Sequence, residues 1–323
     1  MNQNIFTSET AATRDGFGVG LVEVAQQDGK VFALCADLTE SMRLDKFEQL
    51  FPNRFVQMGV AEQNMIGVAA GLALAGKTPF ATSFAVFSPG RTLDQIRVSI
   101  AYSNLNVKIV GGHAGLSTGP DGATHQALED IALMRTLPNM TVICPSDAQQ
   151  AREATIALAN HQGPAYLRLS RPKYPILKHQ KPFKIGEAEI LKEGNDLTLI
   201  SCGDAIHDCL LATTALEKMK ISAQVINLHT IKPIDKKALV QAANKTKRLI
   251  TVEDHQVAGG LGSAVAEVLL PEINQSVTNE LKFLMIGVGD AFGESGEESE
   301  LKKKYKVDVQ TIVINAKNLL ISY

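Results

Sequence analysis

Short apolar segments alternate with helical patterns along most of this chain, and no other feature constrains its fold as strongly. Segments 31–36, 107–110 and 141–144 are mostly apolar, and 78–84 has the composition of a further strand. Segments with a helical pattern, such as 93–103, lie between them. Apolar strands separated by helices predict an α/β fold with parallel sheets that are covered by helices on both faces.

One segment interrupts this alternation near the middle of the chain. Residues 172–182 are basic, contain three prolines and show neither the strand nor the helix period, which indicates a linker. The alternation resumes beyond it, and a length of 323 residues is sufficient for two domains. We therefore expect two parallel-sheet domains at 1–175 and 191–323, joined by a linker at 176–190.

Composition and charge exclude several classes of partner. The net charge of −2, from 32 basic and 34 acidic residues, predicts neither nucleic acid nor an anionic membrane as partner. The apolar run at 65–76 is too short to span a bilayer. Cys35, Cys144 and Cys202 lie in strand-like segments without metal-ligand spacing, which is typical of buried thiols in a reducing compartment. These features predict a soluble, cytoplasmic protein.

A single carboxylate marks the point where one predicted strand turns into a helix. Glu62 follows the strand at 54–58 and precedes the apolar helix at 65–76, whose small apolar residues indicate tight packing on all sides. Desolvation favours the protonated form of a carboxyl group, so Glu62 could share a proton with a heterocyclic nitrogen near neutral pH. The alternative is an acid in the first helical turn, where it interacts favourably with the helix dipole.

A glycine-rich loop with acid–base side chains follows the predicted strand at 107–110. It contains His113, Asp121 and His125. Glycines let the backbone approach a ligand closely, and His and Asp supply hydrogen bonds and protons. Ligands in open parallel sheets bind beyond the carboxyl ends of the strands, so we expect a ligand site here. The alternative is an Asp-Gly turn with His125 capping the next helix; the three side chains are an incomplete set for a metal site.

Two further patterns have both a functional and a structural interpretation. Phe84 and Phe87 are three residues apart, which in a helical turn puts both rings on one side, either to stack on a flat heterocycle or to pack in the core. The glycines at 259–262 match a dinucleotide fingerprint weakly and are explained equally well by close helix–sheet packing. The polar residues at 253–255 indicate a domain-interface cluster or a polar loop.

Together these segments resemble the carboxyl-terminal half of transketolase, which is a pyrimidine-binding domain followed by a smaller C-terminal domain. The resemblance covers nearly the whole chain and is strongest over 13–171. It implies that thiamine diphosphate is the cofactor and that Glu62 bonds the N1′ atom of its aminopyrimidine ring. It also implies that Phe84 and Phe87 surround this ring, and that Asp37 lies beside the cofactor.

The same resemblance implies roles for the glycine-rich loop. His113, Asp121 and His125 are separated by eight and four residues, which matches the family spacing. His113 would hold the substrate phosphate, Asp121 would contact the C2 hydroxyl of the sugar, and His125 would act near the reacting carbon. The other phosphate contacts that the resemblance implies are Arg14, Ser41 and Arg171. Paired arginines can grip a dianion with forked hydrogen bonds.

One departure from the family pattern predicts a partner subunit. Enzymes of this class hold Mg²⁺ and the diphosphate with a Gly-Asp-Gly segment and a later Asn, and the chain has no Gly-Asp-Gly segment. The resemblance therefore implies half of a split transketolase, with Mg²⁺ and diphosphate bound by a separate amino-terminal subunit in an α2β2 heterotetramer. Such an enzyme transfers a two-carbon ketol group between phosphosugars.

Local departures keep other functions open. Ala61, Gly90 and Ala114 stand where full-length transketolases usually have arginine, tyrosine and aspartate. The segment around Glu62 is also similar to 1-deoxyxylulose-5-phosphate synthase and to the β subunit of 2-oxoacid dehydrogenases. His113 argues against the synthase, which usually has arginine there, and the predicted phosphate contacts argue against the dehydrogenase. A third hypothesis is a non-catalytic subunit that binds a nucleotide at 259–262, for which we expect no detectable affinity.

Overall fold

Residues 5–321, which the computed structural model describes, form three sheets and the helices that cover them. The strands are β1 (Phe6–Ala11), β2 (Val31–Cys35), β3 (Phe55–Gln57), β4 (Thr78–Phe84), β5 (Lys108–Gly112), β6 (Thr141–Ile143), β7 (Ala165–Arg168), β8 (Tyr174–Leu177), β9 (Glu189–Lys192), β10 (Leu197–Ser201), β11 (Ala223–Asn227), β12 (Thr230–Lys232), β13 (Arg248–Gln256) and β14 (Lys282–Val288). The helices are α1 (Thr13–Gln27), α2 (Asp45–Leu50), α3 (Glu62–Leu74), α4 (Leu93–Gln95), which continues as a π-helical segment over Ile96–Tyr102, α5 (Asp130–Thr136), α6 (Ala148–Asn160), α7 (Ala205–Lys218), α8 (Lys236–Thr246), α9 (Leu261–Leu269), α10 (Glu298–Lys304) and α11 (Val309–Ile321).

The first domain is a seven-stranded sheet with helices on both faces. Its strand order is β12-β6-β7-β5-β4-β2-β3, and β2 to β7 pair parallel, with Ala33 opposite Phe80 in the centre. Phe17 of α1 packs with Phe80 in the core on one face, and Met65 of α3 lies in the core on the other. Because helices cover both faces, strand β4 is buried along its whole length. The predicted α/β class is confirmed.

The second domain is a five-stranded sheet in the order β14-β13-β10-β11-β9. Its β10, β11, β13 and β14 pair parallel, and β9 lies antiparallel at one edge. Leu199 and Ile312 belong to a core on one side of this sheet. Leu261 and Val265 of α9 lie in the same apolar cluster as Met134 of the first domain, so the two domains share a continuous buried interface.

Three details differ from the sequence expectation. Each large sheet has an antiparallel strand at one edge. The edge strand of the first sheet is β12, which pairs with β6 although it follows β11 of the second domain in the chain. Strand β8 lies inside the segment interpreted as an irregular linker and pairs with β1. Strands this short leave no periodic pattern, and both contain or adjoin a proline, a residue confined to sheet edges. The boundaries at 175 and 191 stay a prediction.

A further correction concerns helix α3, which is not packed on all sides. Gly67, Gly71 and Leu74 lie on an exposed face, and Leu74 is 75% exposed. A Cβ atom at either glycine would have nothing within 4 Å. The chain therefore presents an apolar helix face that no part of residues 5–321 covers.

The four cysteines are buried and free, as predicted for three of them. Within 5–321 no helix combines the length and the apolar character that a membrane crossing requires. The same residues contain no group of three or more His, Cys, Asp or Glu side chains arranged to hold a metal ion.

A buried charged group fixes the segment between the domains. His179 lies 3.0 Å from the Asp147 carboxylate, which belongs to the first domain, and 2.8 Å from the Glu189 carboxylate at the start of β9. Burial alone would lower the pKa of His179, but the hydrogen bonds to Asp147 and Glu189 raise it to about 10. His179 is therefore a buried imidazolium with a carboxylate on each ring nitrogen.

Replacing His179 with glutamine is expected to cost about 3 kcal/mol of unfolding free energy, because two buried carboxylates lose their cation. Since the folded pKa is above the ordinary value of 6.5, the stabilisation is fully present below pH 6.5 and is lost as the pH rises through about 10. Urea unfolding of the wild type and of His179→Gln from pH 6 to 10 measures this pH dependence of the unfolding free energy. His161→Gln is the control, because His161 is only half-buried and its ring bonds the Thr141 hydroxyl rather than a carboxylate within residues 5–321. An equal cost in both variants would contradict the prediction.

Candidate active site

The predicted site residues converge at one edge of the first sheet. Parallel strands β2, β3, β4, β5 and β7 all end there, and the polar residues follow the ends of these strands. Asp37 follows β2, Glu62 follows β3 as the first residue of α3, Phe84 ends β4, His113 follows β5 and Arg171 follows β7.

Glu62 is almost completely buried, with 3% of its surface exposed. Its Oε2 atom accepts a hydrogen bond from Nη1 of Arg91 at 2.9 Å. The Arg91 guanidinium carbon lies 4.8 Å from the centre of the Phe87 ring, while half of the Arg91 side chain is exposed. Glu62 is therefore a buried acid that also occupies the first helical turn, and its role in sharing a proton stays a prediction. Sequence reasoning missed Arg91, which is 29 residues away in an irregular segment.

Arg91 shows what kind of group fits beside Glu62. Its guanidinium is flat, donates to a buried carboxylate and lies over an aromatic ring. A nitrogen heterocycle that stacked on Phe87 and hydrogen-bonded Glu62 would make the same two contacts. The side chains present thus match a flat, hydrogen-bonding ring at this position.

Phe87 belongs to a cluster of four aromatic rings. Phe84 and Phe87 stack with their ring centres 6.0 Å apart and 16° between planes, so the expectation that their spacing puts both rings on one side is confirmed. Phe84 also stacks on His113 at 3.9 Å, and Phe87 meets His125 edge-on at 5.3 Å. Phe84 belongs to the core as well, whereas Phe87 is half-buried. The rings bring the residues at the end of β4 against the glycine-rich loop.

The buried side chain of His113 contacts the half-buried guanidinium of Arg14. Burial, with the nearby charges of Arg14 and Arg171, lowers the pKa of His113 to about 3, so its imidazole is neutral near pH 7. Nη1 of Arg14 lies 3.3 Å from Nε2 of His113 and donates to the backbone oxygen of Ser41 at 2.9 Å. Because Arg14 must be the donor to Nε2, the ring proton lies on Nδ1.

That Nδ1 atom and Nε of Arg14 are both buried and have no hydrogen-bond partner in the part of the chain described. Unpartnered buried donors are costly. An anion with several acceptor oxygens could satisfy both.

The rest of the glycine-rich loop adds Asp121 and His125, and Arg171, which follows β7, lies against it. Arg171 donates to the backbone oxygen of Thr118 at 2.7 Å and lies 3.7 Å from the Asp121 carboxylate. Nδ1 of His125 lies 2.9 Å from the Thr124 hydroxyl. The alternative interpretation of His125 as a helix cap is wrong, because α5 begins only at Asp130.

Asp37 has an exposed side chain on a backbone of positive φ, +59°. The side-chain oxygen of Gln57 accepts hydrogen bonds from the backbone nitrogens of Asp37 at 2.8 Å and Gly59 at 3.2 Å. Gln57, the last residue of β3, thus bonds both the backbone that follows β2 and the turn that leads to Glu62. Its position at a strand end was the only available sequence signal for this role.

Comparison with known proteins identifies the family. A family model described as the pyrimidine-binding domain of transketolase matches residues 9–176, and a second, described as the transketolase C-terminal domain, matches residues 186–312. The chain belongs to the transketolase family. It corresponds to the carboxyl-terminal section of transketolase, as the resemblance implied.

Transketolase relatives of similar length support this assignment. The putative transketolase C-terminal section of Methanocaldococcus jannaschii is 43% identical over 303 residues, which is 93% of each chain. The 6-deoxy-6-sulfo-D-fructose transketolase subunit of Clostridium sp. is 42% identical over 301 residues, which is 93% of this chain and 92% of that protein. A solved structure described as a split-gene transketolase, inactive β4 tetramer, is 42% identical with a TM-score of 0.85, covering 96% of this chain and 98% of that one.

In this transketolase-family chain the glycines at 259–262 do not form a phosphate site. The carboxylate of Glu253 accepts hydrogen bonds from the backbone nitrogens of Leu261 and Gly262 at the start of α9. A Cβ atom at Gly260 would lie 1.9 Å from Glu253 Oε2. The helix start is filled by a carboxylate of the chain itself, which favours the packing interpretation over nucleotide binding.

Proposed function

We propose that this chain is the subunit of a split transketolase that holds the aminopyrimidine half of thiamine diphosphate, while an amino-terminal subunit holds Mg²⁺ and the diphosphate. The enzyme transfers a two-carbon ketol group between phosphosugars. The observation that carries this proposal is the position of Arg91. It bonds the buried Glu62 carboxylate and lies over the half-buried Phe87 ring, which are the two contacts that the aminopyrimidine needs.

The residues around Glu62 fit this cofactor half. When bound, thiamine diphosphate supplies the electron sink for ketol transfer. Glu62 holds a proton at the N1′ position of the ring, and its burial keeps water from competing for that hydrogen bond. Phe87 provides the stacking face, and Asp37 lies on the exposed side of the same sheet edge. Arg91 is half exposed, and its guanidinium would have to leave this position for the ring to bind there.

The substrate site lies on the other side of Phe84. Arg14, His113 and Arg171 bind the terminal anion of the sugar, because the three side chains lie close enough to interact electrostatically and the first two have buried, unpartnered nitrogen atoms. Ser41 closes this site through the backbone oxygen that orients Arg14. Asp121 contacts the C2 hydroxyl, and His125, against Phe87, moves protons near the reacting carbon.

The partner subunit covers the exposed face of α3. Gly67, Gly71 and Leu74 lie on this face, and Val60, two residues before the helix, is 73% exposed. A contiguous apolar face without a cover in the single chain is typical of a subunit interface. Small residues at helical spacing let a second helix approach closely, as an α2β2 assembly with the cofactor between subunits requires.

Coexpression with a chain that carries the Gly-Asp-Gly and Asn pattern tests this function. We expect a complex that transfers a ketol group from xylulose 5-phosphate or 6-deoxy-6-sulfo-D-fructose to an aldose phosphate in the presence of thiamine diphosphate and Mg²⁺. Both donors carry an anion at the end that Arg14 and Arg171 would bind. A complex that decarboxylates pyruvate or a branched 2-oxoacid, and transfers no ketol group, would assign the chain to the 2-oxoacid dehydrogenases instead.

A further inference from the structure

A carboxylate of the second domain binds the backbone of the glycine-rich loop across the domain interface. Asp254 lies on β13 and is 3% exposed. Its Oδ1 atom accepts a hydrogen bond from the backbone nitrogen of Leu116 at 2.8 Å, and Oδ2 accepts one from that of Ser117 at 3.1 Å. Both oxygens of one carboxylate are thus bonded to consecutive residues of the loop at 113–126, called the substrate loop below.

The loop is shaped to receive this carboxylate. Gly115 has a φ of +84°, and a Cβ atom there would lie 2.1 Å from Oδ2 of Asp254. Only glycine combines this backbone conformation with so close an approach. At the far end of the loop, the Gln126 amide donates to the backbone oxygen of Glu294 at 2.9 Å, so the second domain contacts the loop at two places.

The contact with Asp254 is connected to the substrate-binding side chains. The Ser117 hydroxyl donates to the backbone oxygen of Ala114 at 3.0 Å, and the Thr118 hydroxyl donates to that of His113 at 2.6 Å. Arg171 in turn donates to the backbone oxygen of Thr118. Residues 116–118 therefore set the position of His113 and of the Arg171 guanidinium.

Asp254 is itself fixed to the first domain. Nη2 of Arg168, at the end of β7, donates to the backbone oxygen of Asp254 at 2.8 Å. Arg168 also forms a buried ion pair with Asp130 at 2.8 Å, in which the two side chains are 5% and 1% exposed. Asp254 cannot shift without disturbing its hydrogen bond with Arg168, which the ion pair with Asp130 fixes. The Asp254 carboxylate is therefore held in place before substrate binds.

We propose that Asp254 is a positioning residue through which the C-terminal domain holds the substrate loop in its sugar-binding conformation. The substrate part of this inference rests on the proposed function, whereas the loop part does not. The neighbouring residue provides a matched comparison. Glu253 is equally buried and also accepts two backbone hydrogen bonds, but from Leu261 and Gly262 within its own domain.

Hydrogen–deuterium exchange on the isolated chain tests the loop contact without a partner or cofactor. Asp254→Asn keeps the side-chain shape and replaces one acceptor oxygen with an NH₂ group that faces a backbone N–H. We expect exchange at the Leu116 and Ser117 amides to become about tenfold faster or more, with less than about a twofold change at Leu261 and Gly262. Glu253→Gln is expected to give the reverse pattern. Unchanged exchange at 116 and 117 in Asp254→Asn would overturn the proposal.

Steady-state kinetics of the reconstituted enzyme tests the substrate role. Asp254→Asn is expected to raise KM for the phosphosugar about tenfold while kcat falls less than about threefold, whereas Glu253→Gln leaves KM within about twofold. A KM that does not move, or that moves equally in both variants, would overturn the positioning role. Absence of ketol transfer in the wild-type complex would refute the proposed function, and the exchange experiment would still decide whether Asp254 holds the loop.

A second variant covers the case in which Asp254→Asn does not fold. Gly115→Ala leaves the carboxylate in place and pushes the loop away from it, because the added methyl group would overlap Oδ2. Thermal unfolding first establishes that the variant folds. We expect the same faster exchange at Leu116 and Ser117; retained protection in the folded variant would contradict the proposal.

Discussion

Replacing Glu62 with glutamine is expected to lower the rate of ketol transfer by the reconstituted enzyme about a thousandfold. Glutamine has the same volume and can still accept a hydrogen bond, but it cannot exchange a proton with the N1′ atom of the cofactor ring. A positioned acid or base contributes about 10²- to 10⁴-fold to rate. The measurement is kcat at saturating cofactor and substrate, so that weaker cofactor binding does not contribute to the loss.

The control for this variant is Glu48→Gln, which changes an exposed glutamate at the surface of α2 and should leave kcat unchanged. Glu62→Asp separates charge from reach, because it keeps the carboxylate and shortens the side chain by one methylene group. We expect an activity between those of wild type and Glu62→Gln. If Glu62→Gln kept more than about a tenth of the wild-type kcat, the proton would have to come from another group.

The main strands and helices could be predicted because each leaves a strong local pattern. Strand β4 was predicted at its observed bounds. The predicted strand at 31–36 and helical segment at 93–103 each extend one residue beyond the observed elements, although the second is π-helical from Ile96. Their apolar residues are continuous or periodic, since both elements bury them against a sheet. Strands β8 and β12 left no such pattern, because each is only three or four residues long and pairs at a sheet edge.

The residues of the candidate site also divide into those that the sequence could predict and those that it could not. Residues that follow strand ends, such as Glu62 and His113, could be placed together because parallel strands end at one edge. Arg91 and Asp254 could not be placed, since their partners are 29 and 138 residues away and nothing local marks either contact. Residues 253–255 had been interpreted as an interface cluster or a polar loop. The structure shows the interface, and the residues belong to a strand rather than a loop.

The two domains therefore contribute different groups to the site. The first sheet places the side chains proposed to bind cofactor and anion at the ends of its strands. The second domain contributes the carboxylate of Asp254, which binds the backbone of the substrate loop. A split chain that kept only the first sheet would lose this support for the substrate loop.

Replacing Gly71 with arginine is expected to abolish activity while leaving the isolated chain folded. Gly71 lies on the exposed face of α3, where an added Cβ atom would meet nothing within 4 Å. In a helix interior, arginine is more favourable than glycine by about 0.7 kcal/mol, so the melting temperature of the isolated chain should stay constant or rise. In the assembled enzyme the same side chain would enter the interface with the partner subunit and keep the two helices apart.

Light scattering and ketol-transfer assays of the coexpressed subunits measure this effect. We expect no complex and no detectable transfer with Gly71→Arg. Gly289→Arg is the matched control, because Gly289 is an exposed glycine of the second domain that also has no atom within 4 Å of a Cβ position. A full complex with Gly71→Arg would show that the exposed face of α3 is not the subunit interface. Loss of assembly in both variants would instead indicate a general effect of added charge, since the glycines lie in different domains.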